Sequence, residues 1–126
     1  MSSERESYAS RQIGPRADEQ RQERIRHLND TLRRTMIGGQ VLISRSIEAL
    51  GLMAVSSILD GVRQFDEFSS ANDPCDEHDF GALTCSRHRV LWKIDYYDAQ
   101  LEFGSPDPAN PDVTTRVITI MLASEY

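Results

Sequence analysis

FGALTCSRHRVLWKIDYY, residues 80 to 97, decides the fold. Phe80 to Cys85 and Arg89 to Tyr97 are runs of apolar, β-branched and aromatic residues, and the short polar segment Ser86, Arg87, His88 joins them, so the stretch predicts a β-hairpin. Side chains alternate across a strand, which puts Val90, Trp92, Ile94 and Tyr96 on one face and Leu91, Lys93, Asp95 and Tyr97 on the other. The first set predicts a core. The second sets an ammonium, a carboxylate and a phenol about 7 Å apart along the strand, from roughly 3.4 Å per residue. If Ser86 and Arg87 form a two-residue turn, Phe80 falls opposite Lys93 and His78 opposite Asp95; a three-residue turn reverses the face of His78. On the two-residue register His78, Lys93, Asp95 and Tyr97 are the candidate catalytic residues, because a His beside a carboxylate can act as a general base and Lys can stabilise developing charge. Plain cross-strand charge pairing on a half-exposed sheet accounts for the same residues without chemistry.

Immediately upstream, Asp66 to Asp79 (DEFSSANDPCDEHD) is rich in turn formers and holds six carboxylates with no Lys or Arg. Asp73, Glu77, His78 and Asp79, together with Asp76, are candidate ligands for a divalent metal, since carboxylates supply hard oxygens and His a nitrogen. No other cofactor is expected. The spacing matches no EF-hand, because the sixth position counted from Asp73 is His78 rather than Gly. In the competing reading, Asn72 and Asp73 bond nearby backbone amides and cap a turn before Pro74. Downstream, Asp98-Ala99 turns the chain, Leu101 to Phe103 reads as a short further strand, and GSPDPANPD (104 to 112) reads as an ordered loop fixed by Pro106, Pro108 and Pro111. Thr115 to Ala123 follows, apolar on both alternating faces and therefore a central strand.

Towards the N-terminus, Gln40 to Ser44 predicts a strand and Ile47 to Phe65 a broad apolar helix, with Gly51 dividing a short turn from a main segment over 52 to 67. From Ala17, Ile25, Leu28, Leu32 and Met36 recur at helical spacing, Arg33 and Arg34 complement the helix dipole, and Gly38-Gly39 ends the helix. Residues 1 to 16 lack apolar periodicity and read as a flexible tail. The expected domain is thus a single α+β unit over 17 to 126, a mostly antiparallel four- or five-stranded sheet with two main helices packed on one face.

The chain has 126 residues and a net charge of −6. Residues 1 to 35 carry eight Arg against six acidic residues, whereas 36 to 126 carry six basic against fourteen acidic, so the acidity belongs to the body. General nucleic-acid binding is not expected from such a balance. No apolar run approaches the roughly 20 residues of a membrane span, and MSSERESYASRQ has no signal-peptide core, so a cytoplasmic protein without membrane contact is expected. Cys75 and Cys85 form no C-x-x-C pair and read as free thiols. Thirteen Arg against one Lys suggests G+C-rich coding and hence a bacterial source. No P-loop, dinucleotide, nucleophile-elbow or H-E-x-x-H motif is present.

Asn72-Asp73-Pro74, Glu77-His78-Asp79-Phe80-Gly81, Trp92 to Asp98, Gly104 to Pro108, and Arg116-Val117 with Thr119 to Ala123 and Glu125-Tyr126 resemble domain of unknown function 3768. The resemblance covers about residues 25 to 126. Where that pattern has a small residue before Glu77, this chain has Cys75-Asp76. The resemblance implies no activity, but it implies a bacterial, often plasmid-borne setting and so an accessory role on a mobile element. The leading expectation is a small binding or regulatory module. Its protein partner would meet the sheet face or the loops, with Asn72, Asp73, Asp98, Ser105 and Asp107 as candidate contacts. A metal-assisted hydrolase or nuclease built on His78, Asp79, Asp95 and Lys93 is the alternative. A third is an acidic nucleic-acid mimic that occupies the basic groove of a host defence enzyme. Oligomeric state has no signature in the sequence.

Overall fold

In the computed structural model the backbone is described from Ser2 to Tyr126 and the side chains from Arg16 onward. The tail expected over residues 1 to 16 therefore lies, apart from Arg16, outside the residues described in full. The elements are helix α1 (Ser2–Thr35), strand β1 (Gln40–Ile43), helices α2 (Arg45–Glu48) and α3 (Leu52–Gln64), then strands β2 (Phe80–Cys85), β3 (His88–Tyr97) and β4 (Thr115–Leu122).

The four strands lie in the order β1-β4-β3-β2. β2 with β3 and β3 with β4 pair antiparallel, while β1 pairs parallel to β4. The sheet is thus mixed. The parallel pair is possible because α2, α3 and the loop that follows carry the chain from β1 at one edge to β2 at the other, a crossover that needs a long connection. β4 is central, as its two apolar faces predict. The expected strand at Leu101 to Phe103 does not form. Asp98 N donates to Phe103 O, Leu101 sits at φ 60°, and pairing is reduced to a single bridge between Tyr97 and Gly104. A bulky residue in the left-handed region belongs to a turn tip and breaks the extended run that a strand needs.

The hairpin closes on the two-residue turn. Ser86 and Arg87 have φ 51° and 70°, the left-handed pair that matches strand twist, and Phe80 stands opposite Lys93. Trp92 is fully buried against Gly81, its cross-strand partner, where a Cβ would run into the indole ring. One cluster joins Val90, Trp92 and Ile94 of β3 and Ile118 and Ile120 of β4 to Leu32 of α1, Ile47 of α2, and Ile58 and Val62 of α3. α1 stops at Thr35, before the glycine pair. Met36 takes the left-handed position (φ 61°) with its N–H on Leu32 O, and Thr35 Oγ1 accepts from Ile37 N.

Candidate functional site

α1 buries a face that is only half apolar. Ile25, Asn29, Leu32 and Arg33 are all essentially inaccessible and recur at the three- and four-residue spacing of one helical stripe. Asn29 donates through Nδ2 to Glu77 O (3.0 Å) and to the Tyr96 hydroxyl (2.7 Å), and its Oδ1 accepts from Arg116 Nε (2.9 Å). Tyr96 in turn donates to Glu77 Oε1 (2.8 Å). Burial pushes the phenol far above its ordinary range, and the Glu77 carboxylate it serves reinforces the shift, so Tyr96 keeps its proton. Arg116 also donates to Pro108 O, with its guanidinium 5.2 Å from the Tyr96 ring centroid. Through these bonds one buried amide ties α1 to the loop 66 to 79 and to the two central strands, and through Arg116 to the loop 98 to 114.

One turn further on, Arg33 donates at the end of α3 to Arg63 O (3.1 Å), Phe65 O (2.8 Å) and Val62 O (3.1 Å), the last of which also accepts from Phe65 N, and to Asp30 Oδ1 (3.1 Å). Its guanidinium lies 5.4 Å from the ring centroids of Phe68 and Trp92. Burial lowers its pKa and Asp30 opposes the shift. Arg33 thus works as a side-chain cap for α3, which has no left-handed glycine at its end.

The remaining Asp30 contact is His78, whose Nδ1 lies 2.9 Å from Asp30 Oδ1. An ionised carboxylate only accepts, so Nδ1 carries the proton and a neutral His78 presents its lone pair on Nε2. That nitrogen lies 3.7 Å from Asp73 Oδ2 and 3.9 Å from Asp76 Oδ1, and the three potential ligand atoms fall within 4.8 Å of one another. Asp73 is buried and its carboxylate also accepts from the backbone N–H of Glu77 and His78. The imidazole stacks flat on Phe68, centroids 3.7 Å apart, beside an open cavity of about 350 Å³ lined by Phe68, Ser69, Ser70, Asp73, Pro74 and Asp76. Asp76 and His78 have φ 54° and 56°. Asp76 holds the left-handed position just before Glu77 without a glycine, and its carboxylate and carbonyl are both taken by Arg26.

The sequence-predicted residues separate into three groups. Of the metal candidates, Asp73 and His78 come together with Asp76. Glu77 turns to Tyr96 instead, and the Asp79 carboxyl stands apart, pushed up by its burial and by neighbouring Glu77. Of the catalytic candidates, Lys93 and Asp95 pair at 2.7 Å on the face opposite Trp92, and Asp95 holds the Lys93 pKa up. Tyr97 lies on that same face by strand alternation. His78 does not join them. The β2 ladder ends with Ile94 N on Asp79 O, and the positive φ of His78 turns its ring to Asp30 and Phe68, on the Trp92 side.

The partner candidates shape their own loops. Asn72 bonds Ser69 N and Glu67 O, Asp98 accepts from Glu102 N, and Ser105 Oγ meets Thr114 Oγ1 at 2.6 Å. Asp107 accepts from Ala109 N and from Arg21. Sequence reasoning missed Asn29, Asp30, Arg33, Phe68 and Arg116. A signal existed for three of them. Asn29 and Arg33 interrupt the apolar stripe of α1, and Arg116 shares strand parity with core residues Ile118 and Ile120.

The arrangement defines a small α+β protein in which one helix holds the loop 66 to 79 through buried and exposed polar contacts and reaches the loop 98 to 114 through Arg116 and the exposed Arg21–Asp107 pair. A family model described as a protein of unknown function, DUF3768, matches residues 43–125, roughly two thirds of the chain. The chain belongs to that family. The match starts at the last residue of β1, so α1 lies outside it while the residues α1 contacts lie within it. No curated protein and no solved structure matches the chain.

Proposed function

We propose that this protein is a small binding or regulatory module, and that its partner, a protein, meets the end of the sheet where α1 closes on the loops 66 to 79 and 98 to 114. The observation that carries this reading is the pinning of both loops by one helix. Arg26 holds Asp76, Asn29 holds Glu77 O, Asp30 holds His78, and Arg21 reaches Asp107 at 3.3 Å. Loops ordered before contact lose less entropy on binding, so a surface of this kind favours recognition. The module works in the cytoplasm as an accessory of a mobile element under this reading. A nucleic-acid mimic needs an array of free carboxylates, and Arg26 and Arg21 neutralise two of the set. The test is affinity capture from a bacterial lysate with the wild type and with Asp76→Arg plus Asp107→Arg. A protein retained by the first and lost by the second supports the reading; equal recovery by both sinks it.

A second reading, a metal-assisted hydrolase or nuclease, is favoured by one geometry. His78 Nε2 faces Asp73 and Asp76 while Asp30 orients the ring from behind, the relation in which a carboxylate steadies a metal-binding His. The residues fit a divalent ion with one nitrogen and two oxygen ligands, and such an ion would polarise a phosphoryl or acyl oxygen in the neighbouring cavity. Titration with Mg²⁺, Mn²⁺, Ca²⁺ and Zn²⁺ should then raise the melting temperature of the wild type and not of His78→Ala. Absence of any shift in the wild type removes this reading and leaves the first untouched.

A further inference from the structure

β2 is an edge strand with no charge, no proline and no bulge in its six residues, FGALTC. Proteins usually blunt such an edge with one of those devices, because a row of free backbone groups pairs with any extended chain that meets it. The register shows which groups are free. Ile94 N donates to Asp79 O, so residues 79, 81, 83 and 85 exchange hydrogen bonds with β3 and residues 80, 82 and 84 point the other way. The N–H and C=O of Phe80, Ala82 and Thr84 therefore face outward, and none of them has a hydrogen bond among the described residues.

Beside this edge runs a groove of about 320 Å³ between β2 and the end of α3, its floor made by Gly61, Phe65 and Leu83. Gly61 makes room for it. A Cβ there would lie 2.6 Å from Leu83 Cδ1, so a side chain at that position would have to push the tip of Leu83 aside. The groove is polarised. Gly61 packs on Leu83, and four residues later Phe65 reaches Trp92, the partner of Gly81, so α3 runs back along β2. That places Asp66 and Glu67 towards the start of β2, both exposed and neither in an ion pair among the described residues. Arg89, the partner of Thr84, stands at the other end.

We infer that the free edge of β2 and this groove form a strand-addition site for an extended peptide segment of a partner protein. The segment carries an apolar side chain at its centre and a basic residue at one end. The peptide backbone would complete the hydrogen bonds of Phe80, Ala82 and Thr84 as a fifth strand. Alternate side chains would enter the groove over Leu83 and Gly61, and the basic residue would meet Asp66 and Glu67. The inference shares with the binding-module reading only the idea of a protein partner. It uses a different surface, so Asp76→Arg plus Asp107→Arg leaves it intact.

The probe is a fluorescein-labelled ten-residue peptide with Val and Thr alternating in its middle, two Arg at one end and two Glu at the other. Binding to the full chain is read by fluorescence anisotropy. The expected result is saturable binding that weakens at least about tenfold in Ala82→Pro, which deletes an outward donor and spares the β2–β3 ladder. Asp66→Asn plus Glu67→Gln should weaken it several-fold, and replacing the two Arg by Glu should do the same. Circular dichroism verifies that Ala82→Pro folds. Should that variant not fold, N-methylation of every second peptide amide gives the same test from the ligand side, since only the phase whose amides face β2 should abolish binding. Equal binding by the wild type and Ala82→Pro, or by both N-methylated phases, overturns the inference. So does no binding at millimolar protein. A dimer of the chain by itself in sedimentation, lost in Ala82→Pro, would assign the edge to a second copy and overturn the peptide as its occupant.

Discussion

The two faces of β3 carry similar side chains and put them to different ends. On one face Tyr96 stands beside Glu77, Asn29 and Arg116 in a closed network. On the other, Lys93 and Asp95 pair with each other, each about a third exposed. Alternation along one strand produced both sets, and what separates them is cover. α1 and the two long loops lie across the first face and remove its polar groups from water, so each must find a partner inside the protein. The second pair stays hydrated, and a hydrated pair contributes little. A polar residue in this fold matters according to which side of the sheet it leaves.

The largest effect should come from Arg33→Ala, which leaves Arg63 O and Phe65 O without a donor, weakens the bonding of Val62 O and leaves Asp30 facing His78 alone. A loss of about 3 to 5 kcal/mol in urea unfolding is expected, the range for breaking a buried charged contact. A loss below about 1 kcal/mol would show that the covered face is no more demanding than the open one. Asn29→Leu should cost roughly 2 kcal/mol, because buried Arg116 Nε loses its partner and half-buried Tyr96 and Glu77 O each lose one as well.

Asp79, opposite Ile94 at the end of the β2–β3 ladder, gives the comparison a pH dependence. Its pKa is raised in the folded chain, chiefly by burial and then by Glu77. The native state therefore holds the Asp79 proton more tightly than the unfolded state, and stability is lost as pH climbs from the ordinary carboxylate value through the folded one. Asp79→Asn should raise the melting temperature at pH 7, with the gain vanishing below the ordinary carboxylate range. A gain that persists in acid would trace to packing instead of charge. The smallest effect belongs to Lys93→Ala, at most about 1 kcal/mol and reduced further by salt. A larger cost would mean that the outer face has a cover in solution.

Much of the fold was legible in advance. The hairpin, the central position of β4 and the division at Gly51 follow from local patterns of alternation and apolar spacing, which report on neighbours in sequence, whereas the choice between a two- and a three-residue turn was settled by the left-handed Ser86 and Arg87. The parallel partner of β4 was not legible, because β1 reads as a strand whichever neighbour it takes. Leu101 to Phe103 failed as a strand for a related reason. An apolar triplet can extend only if the chain before it does not turn too tightly, and the bonds around Asp98 close that turn.

The candidate site was half legible. Asp73 and His78 could be named as potential ligands from residue type alone, and the Asn72–Asp73 turn from its chemistry. The involvement of Arg33 depends on contacts 29 to 32 residues apart in sequence, and that of Asn29 and Asp30 on contacts 48 residues apart. The same distance explains His78. Local register put it beside Asp95, while the end of the ladder and the Asp30 carboxylate drew it to the opposite side.

The sequence by itself determined the main helices and strands, the presence of the hairpin and the acidic character of the loops, since propensity, periodicity and charge are properties of a residue and its near neighbours. Only the tertiary structure decided which polar residues are buried together, which edge is free and which carboxylate faces which imidazole. Those outcomes depend on what covers each side of the sheet, and cover comes from segments far apart along the chain.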